Sequence, residues 1–265
     1  MSTSSQKIAV VTGASSGIGA VYADRLAKRG YDLVLIARRT ERLQSLAAKI
    51  ARTHGVKVAP MIADLETEAG LASVEQFLAS NPAVSVLVNN AGIARLAPIS
   101  DRPLQDSLSQ IALNITALTR LTHAVLPGLK SRNEGAIINI SSVMALNTLP
   151  ISSVYSGTKA FVLAFSRGLQ QELADTGVKV QVVLPAATAT EVWDQSGVPL
   201  SALAPESVMS TEDLVDAALS ALDKGENITL PSVADTEAIE RFEAARIALF
   251  ATSQTGKVAP RLLPL

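Results

Sequence analysis

A chain of 265 residues is long enough for one large α/β domain or two small ones with a full core. Its net charge of −1 offers no general attraction for nucleic acid or an anionic membrane. With no cysteine and only His54 and His123, disulfides, thiolate chemistry and cysteine-held metals are excluded, and a histidine-rich metal site is not expected.

The interior falls to Ala, Val, Leu and Ile, because the chain is 48 % hydrophobic but only 3 % aromatic. Short β-branched runs alternate with helical patterns. Strands are predicted at 8–12, 31–37, 56–62, 84–90, 135–142, 178–185 and 227–231. Between them the pattern predicts helices over Ile18–Arg29, Glu41–Arg52, Ala69–Leu78, Leu104–Leu126, Ser153–Ala174 and Thr211–Leu222. Strand–helix alternation with short connections implies βαβ units: an α/β fold with a doubly wound parallel sheet of Rossmann type, helices on both faces. No linker or repeat is visible, so a single domain over 1–265 is expected, with a substrate lid in the irregular stretch 186–210. No apolar run reaches the length of a membrane span, and the segment after Lys7 reads as a strand rather than a leader. A soluble, cytoplasmic protein is the expectation.

Two chemistries compete for the turn after the first strand. GASSG, Gly13 to Gly17, fits the nucleophile elbow of a serine hydrolase, and GASSGIG, Gly13 to Gly19, fits a loop that cradles a pyrophosphate. The elbow reading lacks an earlier strand–helix loop for an oxyanion hole, and neither histidine follows a strand as a triad base would. The phosphate reading uses every residue: Gly13 for the turn, Gly17 for close approach of the backbone, Gly19 for helix packing, and Ser15 and Ser16 as donors beside the helix N-terminus at Ile18.

Further along stand N89-N-A-G92, Asn114, Ser142 and Y155-S-G-T-K159. With T12-G-A-S-S-G-I-G19, in this order, they resemble the classical short-chain dehydrogenase/reductase family over nearly the whole chain. The resemblance implies a nicotinamide cofactor, with Asp64 and Leu65 at the adenine ring and Asn90, Ala91 and Gly92 on the adenosine side. In dinucleotide folds an acidic residue about twenty positions after the glycine turn holds the ribose hydroxyls. Counting from Gly17 reaches Ala37, followed by Arg38 and Arg39. A guanidinium suits a 2′-phosphate, so NADP(H) is expected over NAD(H), with Arg38, first off the strand, the better candidate. Two solvated surface arginines are the bland alternative.

Tyr155 and Lys159, four apart, share a helix face. One cation about 4 Å from the phenol at an effective dielectric near 20 is worth about 4 kcal/mol, enough to lower its pKa by roughly three units before solvation is counted. The resemblance implies that Tyr155 protonates the carbonyl oxygen and that Lys159 tunes Tyr155 and binds the nicotinamide ribose. It also implies that Ser142 holds the substrate oxygen and that Asn114 holds a water in a relay with Lys159. Pro185, Thr188 and Thr190 match cofactor contacts after the sixth strand, but Ala186 stands where the family usually has glycine, and a positive φ there would strain it. Within the lid, Val192, Trp193, Val198, Leu200 and Leu203 suggest an apolar ketone or aldehyde, with Trp193 at the substrate; packing on the core or a subunit interface explains them equally. Apolar residues of the helix over 104–126 fit a homodimer or homotetramer. A non-catalytic NADPH-binding regulator is the alternative to an enzyme, which loss of Tyr155, Lys159 or Ser142 would have favoured.

Overall fold

The computed structural model describes residues 6–263. Two compact units divide at Pro231 and Ser232, and every expected site residue lies in the first. Among the described residues this first unit carries a seven-stranded sheet, all neighbours parallel, in the order β3-β2-β1-β4-β5-β6-β7. The strands are β1 (Ile8–Thr12), β2 (Asp32–Ala37), β3 (Val58–Ile62), β4 (Val84–Asn89), β5 (Gly135–Ile140), β6 (Val178–Val183) and β7 (Ile228–Thr229).

Alternation of side chains sends the strands into two cores. Ala9 and Val11 of β1 join Leu33, Leu35 and Ala37 of β2 on one face, under α1 (Gly17–Lys28), α2 (Thr40–His54) and α7 (Thr211–Asp223). Val10, Val34 and Ile36 point the other way, towards α3 (Glu68–Ser80) and α5 (Leu118–Arg132). A third cluster joins Leu118 and β6 to α6 (Ser153–Glu172) through Val162, Leu163, Val182 and Leu184. The central strands are therefore buried on both faces, as parallel strands of β-branched residues must be, while the edge strand β3 leaves Ala59, Pro60 and Ile62 exposed.

The sequence pattern and the structure differ where the chain turns to function. The helix expected over Leu104–Leu126 is α4 (Leu104–Ile111), a π-helical segment (Ala112–Ala117) and α5. A π segment widens a helix by one residue per turn and re-aims its side chains, here around Asn114. Pro127 does not end α5, because Val125 and Leu129, 2 % and 0 % exposed, anchor the helix on either side of it. Asn133 ends it in the left-handed region at φ 52°. The ladder β5–β6 stops two residues earlier than expected, at Ile140 and Val183, which frees Ser141, Ser142, Leu184 and Pro185 to shape the site.

The stretch 186–210 contains three short 3₁₀ turns, Glu191–Gln195, Leu200–Ala202 and Pro205–Ser207. It is closed at its base by a bridge between Thr188 and Met209. The second unit is built on α8 (Thr236–Ser253), which the pattern did not single out. Asp235 caps it by accepting from the amides of Glu237 and Ala238, and none of its side chains is buried. Among the described residues no helix is long and apolar enough to cross a membrane.

Candidate active site

β1 lies between β2 and β4, so the direction of winding reverses there and a crevice opens at the carboxyl ends of the strands. A cavity of about 580 Å³ occupies that place. Every residue expected at the site lines it except Gly19 and Asn114.

Gly13 and Gly17 take φ values of 64° and 55°, which favour glycine. Gly19 is required by contact instead: a Cβ there would lie 2.5 Å from both the Gly13 carbonyl oxygen and Asn90 Nδ2. Ser16 occupies the N-cap of α1 but makes no capping hydrogen bond, and no acidic residue stands in the first turn. The leading amides and the positive end of the helix dipole thus face the cavity uncompensated, which fits a pyrophosphate. Thr12, which the sequence reading left without a role, fastens this loop to the next. Its hydroxyl donates to Val88 O at 3.1 Å and accepts from the amides of Asn90 and Ala91, both at 3.0 Å. Asn90 donates back to Thr12 O at 2.9 Å and Gly13 O at 3.2 Å, so Asn90, Ala91 and Gly92 form a fixed wall.

Both arginines line the cavity, with different partners. Arg38 turns to Glu66 at 3.3 Å and Asp64 at 3.8 Å, whereas Arg39 lies on the glycine loop. Arg39 donates to Ser15 Oγ at 3.1 and 3.0 Å and to Ser16 Oγ at 2.5 Å. The carboxylates that face Arg38 stand on the loop after β3, whereas Arg39 shares its guanidinium between the glycine loop and Glu191. Leu65 is buried beside Asp64, whose carboxylate accepts from the Glu66 amide at 3.0 Å. Ser15 is not poised as a nucleophile, since its oxygen faces a guanidinium and neither His54 nor His123 lines the cavity.

Ser142 and Ser141 separate cleanly. Ser141 donates to Lys159 O at 2.8 Å and holds α6, while the Ser142 hydroxyl hydrogen-bonds the Tyr155 phenol and accepts from Met144 N at 3.1 Å. The Lys159 ammonium is buried and donates to Ile140 O at 2.9 Å, 5.7 Å from the centre of the Tyr155 ring. With protein groups alone the expected tuning does not appear. Burial pushes Tyr155 up to about 12, against a smaller opposing effect of Ser142. Burial also brings Lys159 down to about 8. Desolvation disfavours the charged form of each group and is the largest influence on both.

Asn114 sits outside the cavity wall, buried in the π segment. It accepts from Ile93 N at 2.9 Å and donates to Ile93 O at 2.9 Å and Thr158 Oγ1 at 3.0 Å. Both its side-chain donors are engaged on protein, so it is a staple joining the 91–93 turn to α6. A Cβ on Gly92 would lie 3.1 Å from Asn114 Oδ1 and 3.6 Å from Lys159 Nζ, so all three converge.

Ala186 is unstrained, because the only described non-glycine residue with positive φ is Asn133. Trp193 donates from its indole to Thr188 O at 2.8 Å and lines the cavity with Val192, Val198 and Leu203; Leu200 does not. Glu191 and Arg42 also take part, without any signal in the sequence. Glu191 bridges Arg39 at 2.5 Å and Arg42 at 2.6 Å.

The short chain dehydrogenase family model matches residues 7–198. The chain is 36 % identical over 217 residues to very-long-chain 3-oxoacyl-CoA reductase-A of Danio rerio, covering 78 % of this chain and 66 % of that one. It spans three fifths to two thirds of the length of such curated relatives. Among solved structures it resembles a short-chain dehydrogenase from Sphingobium yanoikuyae in complex with NADPH, with TM-score 0.92, 42 % identity, and 96 % and 99 % of the two chains covered. It also resembles the bulky-bulky ketone specific alcohol dehydrogenase from Comamonas testosteroni, with TM-score 0.89, 37 % identity, and 97 % and 99 % covered. With a glycine cradle at the switch point, a Ser–Tyr–Lys cluster on the same cavity wall and a family model matching most of the sequence, the chain belongs to the short-chain dehydrogenase family.

Proposed function

We propose that the protein reduces an apolar ketone or aldehyde, reversibly, with NADPH preferred over NADH. The observation that carries the reaction is the meeting of the Ser142 and Tyr155 hydroxyls on the cavity wall above the buried Lys159 ammonium. The nicotinamide supplies a hydride when bound. Gly13, Gly17 and the open N-terminus of α1 would hold its pyrophosphate, and Arg39 with Ser15 and Ser16 the 2′-phosphate.

Carbonyl reduction needs one hydride at carbon and one proton at oxygen. Tyr155, neutral across the ordinary pH range, is the proton donor. Ser142 donates to the same oxygen and stabilises the charge that develops on it. Lys159 stabilises the tyrosinate left behind and, with a pKa of about 8, exchanges its own proton near neutrality. Asn114 keeps Lys159 and the Gly92 turn in register. At the far side Leu96, Met144, Leu149, Val192, Trp193 and Leu203 offer an apolar wall, which supports an apolar substrate.

A homodimer or homotetramer in the cytoplasm, without nucleic-acid or membrane partners, completes the reading. The self-association is supported by the exposed stripe Leu104, Leu108 and Ile111 on α4, 73 %, 45 % and 41 % exposed. The cofactor preference is tested by comparing kcat/KM with NADPH and NADH for wild type and Arg39→Ala. Loss of a charge-assisted contact of about 1.5–3 kcal/mol lowers the NADPH value roughly 10- to 100-fold and leaves NADH unchanged. Equal values for the two cofactors in wild type would refute the preference.

A further inference from the structure

The arginines at the mouth of the phosphate seat already hold an anion, and it belongs to the protein. Glu191 opens the first 3₁₀ turn of the lid, far in sequence from its partners. Its two carboxylate oxygens are divided between Arg39 at 2.5 Å and Arg42 at 2.6 Å. Arg39 reaches the Ser15 and Ser16 hydroxyls with its other nitrogens, so one guanidinium joins the lid to the glycine loop. The neighbouring Thr190 presses on the same loop: a Cβ on Gly17 would lie 3.2 Å from Thr190 Cγ2. Two residues beyond Glu191, Trp193 forms part of the substrate wall.

We propose that Glu191 is an internal stand-in for the cofactor's 2′-phosphate, and that exchange of one anion for the other at Arg39 and Arg42 unlatches the lid. The inference rests on the NADPH reading and adds a specificity-determining residue to it. The chemistry is a competition for one pair of guanidinium groups. A phosphate dianion makes stronger bidentate contacts with them than a carboxylate does, and once seated it repels Glu191. NADH carries no phosphate at this position and leaves the carboxylate where it is. A ligand shifts a conformational equilibrium only through differential affinity, and here the difference is that single group. Each exposed ion pair contributes little, so releasing two hinders phosphate binding only modestly yet holds the lid when phosphate is absent.

Trp193 is the only tryptophan of the chain and reports on the lid directly. The test uses adenosine 2′,5′-bisphosphate and 5′-AMP, which carry the adenosine end of the cofactor with and without the 2′-phosphate and have no nicotinamide to touch the lid. In the full chain, the bisphosphate should shift Trp193 emission to the red as the indole leaves Thr188 O, and 5′-AMP should not. Glu191→Gln should show the shifted emission before any ligand is added and bind the bisphosphate roughly two- to thirtyfold more tightly, with 5′-AMP within twofold. Equal affinity of wild type for the two fragments would refute the NADPH reading beneath the inference. A wild type that prefers the bisphosphate, while Glu191→Gln leaves emission unchanged or weakens bisphosphate binding, would overturn the role of Glu191 alone.

Discussion

Lys159→Met should make the fold more stable at neutral pH while removing activity. Lys159 is 6 % exposed and has one hydrogen-bond partner, Ile140 O at 2.9 Å. Burial lowers its pKa from 10.5 to about 8. A lysine whose folded pKa lies below its unfolded value binds fewer protons in the folded state between those two values. Stability therefore rises with pH across that window, and below it the folded state carries the whole penalty. At about 1.4 kcal/mol per unit, the penalty at pH 7 is about 3 kcal/mol. Methionine fills similar space without charge but leaves the Ile140 carbonyl without its donor, at about 1 kcal/mol. The net effect at pH 7 is a gain of about 2 kcal/mol, or roughly 4–8 °C in Tm at about 2–4 °C per kcal/mol. Calorimetry at pH 7 and 9.5 checks it: the gap between variant and wild type should narrow at the higher pH. A Lys159→Met protein less stable than wild type at pH 7 would refute the reasoning, since the ammonium's bonds would then outweigh its burial.

Two further outcomes follow from the same geometry. Ketone reduction should decline as pH rises through about 8, because Lys159 loses its proton there and no longer offsets the charge left on Tyr155; a pH profile of kcat flat from 7 to 9 would contradict this. Gly19→Ala places a methyl 2.5 Å from Gly13 O and Asn90 Nδ2, so the glycine loop must shift. Overpacking of this kind costs about 1–3 kcal/mol, and cofactor binding measured by fluorescence titration should weaken by roughly 5- to 150-fold.

What the sequence made legible was set by local rules. β-branched runs of five or six residues bounded by glycine and polar turns have one way to be buried, so the strand centres match within a residue or two. Ser142, Tyr155 and Lys159 are fixed relative to one another by one strand end and one helix turn. The resemblance to the family's motifs named them, and the structure sets all three on one cavity wall. Contacts between distant loops left no such trace. Arg39 faces Glu191 across 152 positions, and nothing in either neighbourhood says that Arg38 will be drawn aside by Glu66. The rise of the Tyr155 pKa, against the expected fall, has a related cause. Coulomb attraction can be written from a sequence spacing, but desolvation depends on which groups cover the pair. The π segment at Asn114 and the survival of α5 through Pro127 likewise come from tertiary packing, which outweighed the local preference of the chain. α8 was missed because its apolar and charged residues are mixed around the helix and mark no face for burial.

The central claim is that Tyr155 delivers the proton to a carbonyl oxygen in this cavity. Its most direct test is NADPH consumption with a bulky aryl ketone by wild type and Tyr155→Phe, alongside the NADPH Kd of each. The account predicts turnover by wild type, a fall of roughly 10²- to 10⁴-fold in the variant, and an NADPH Kd unchanged within a few-fold. Turnover by Tyr155→Phe at the wild-type rate would contradict it.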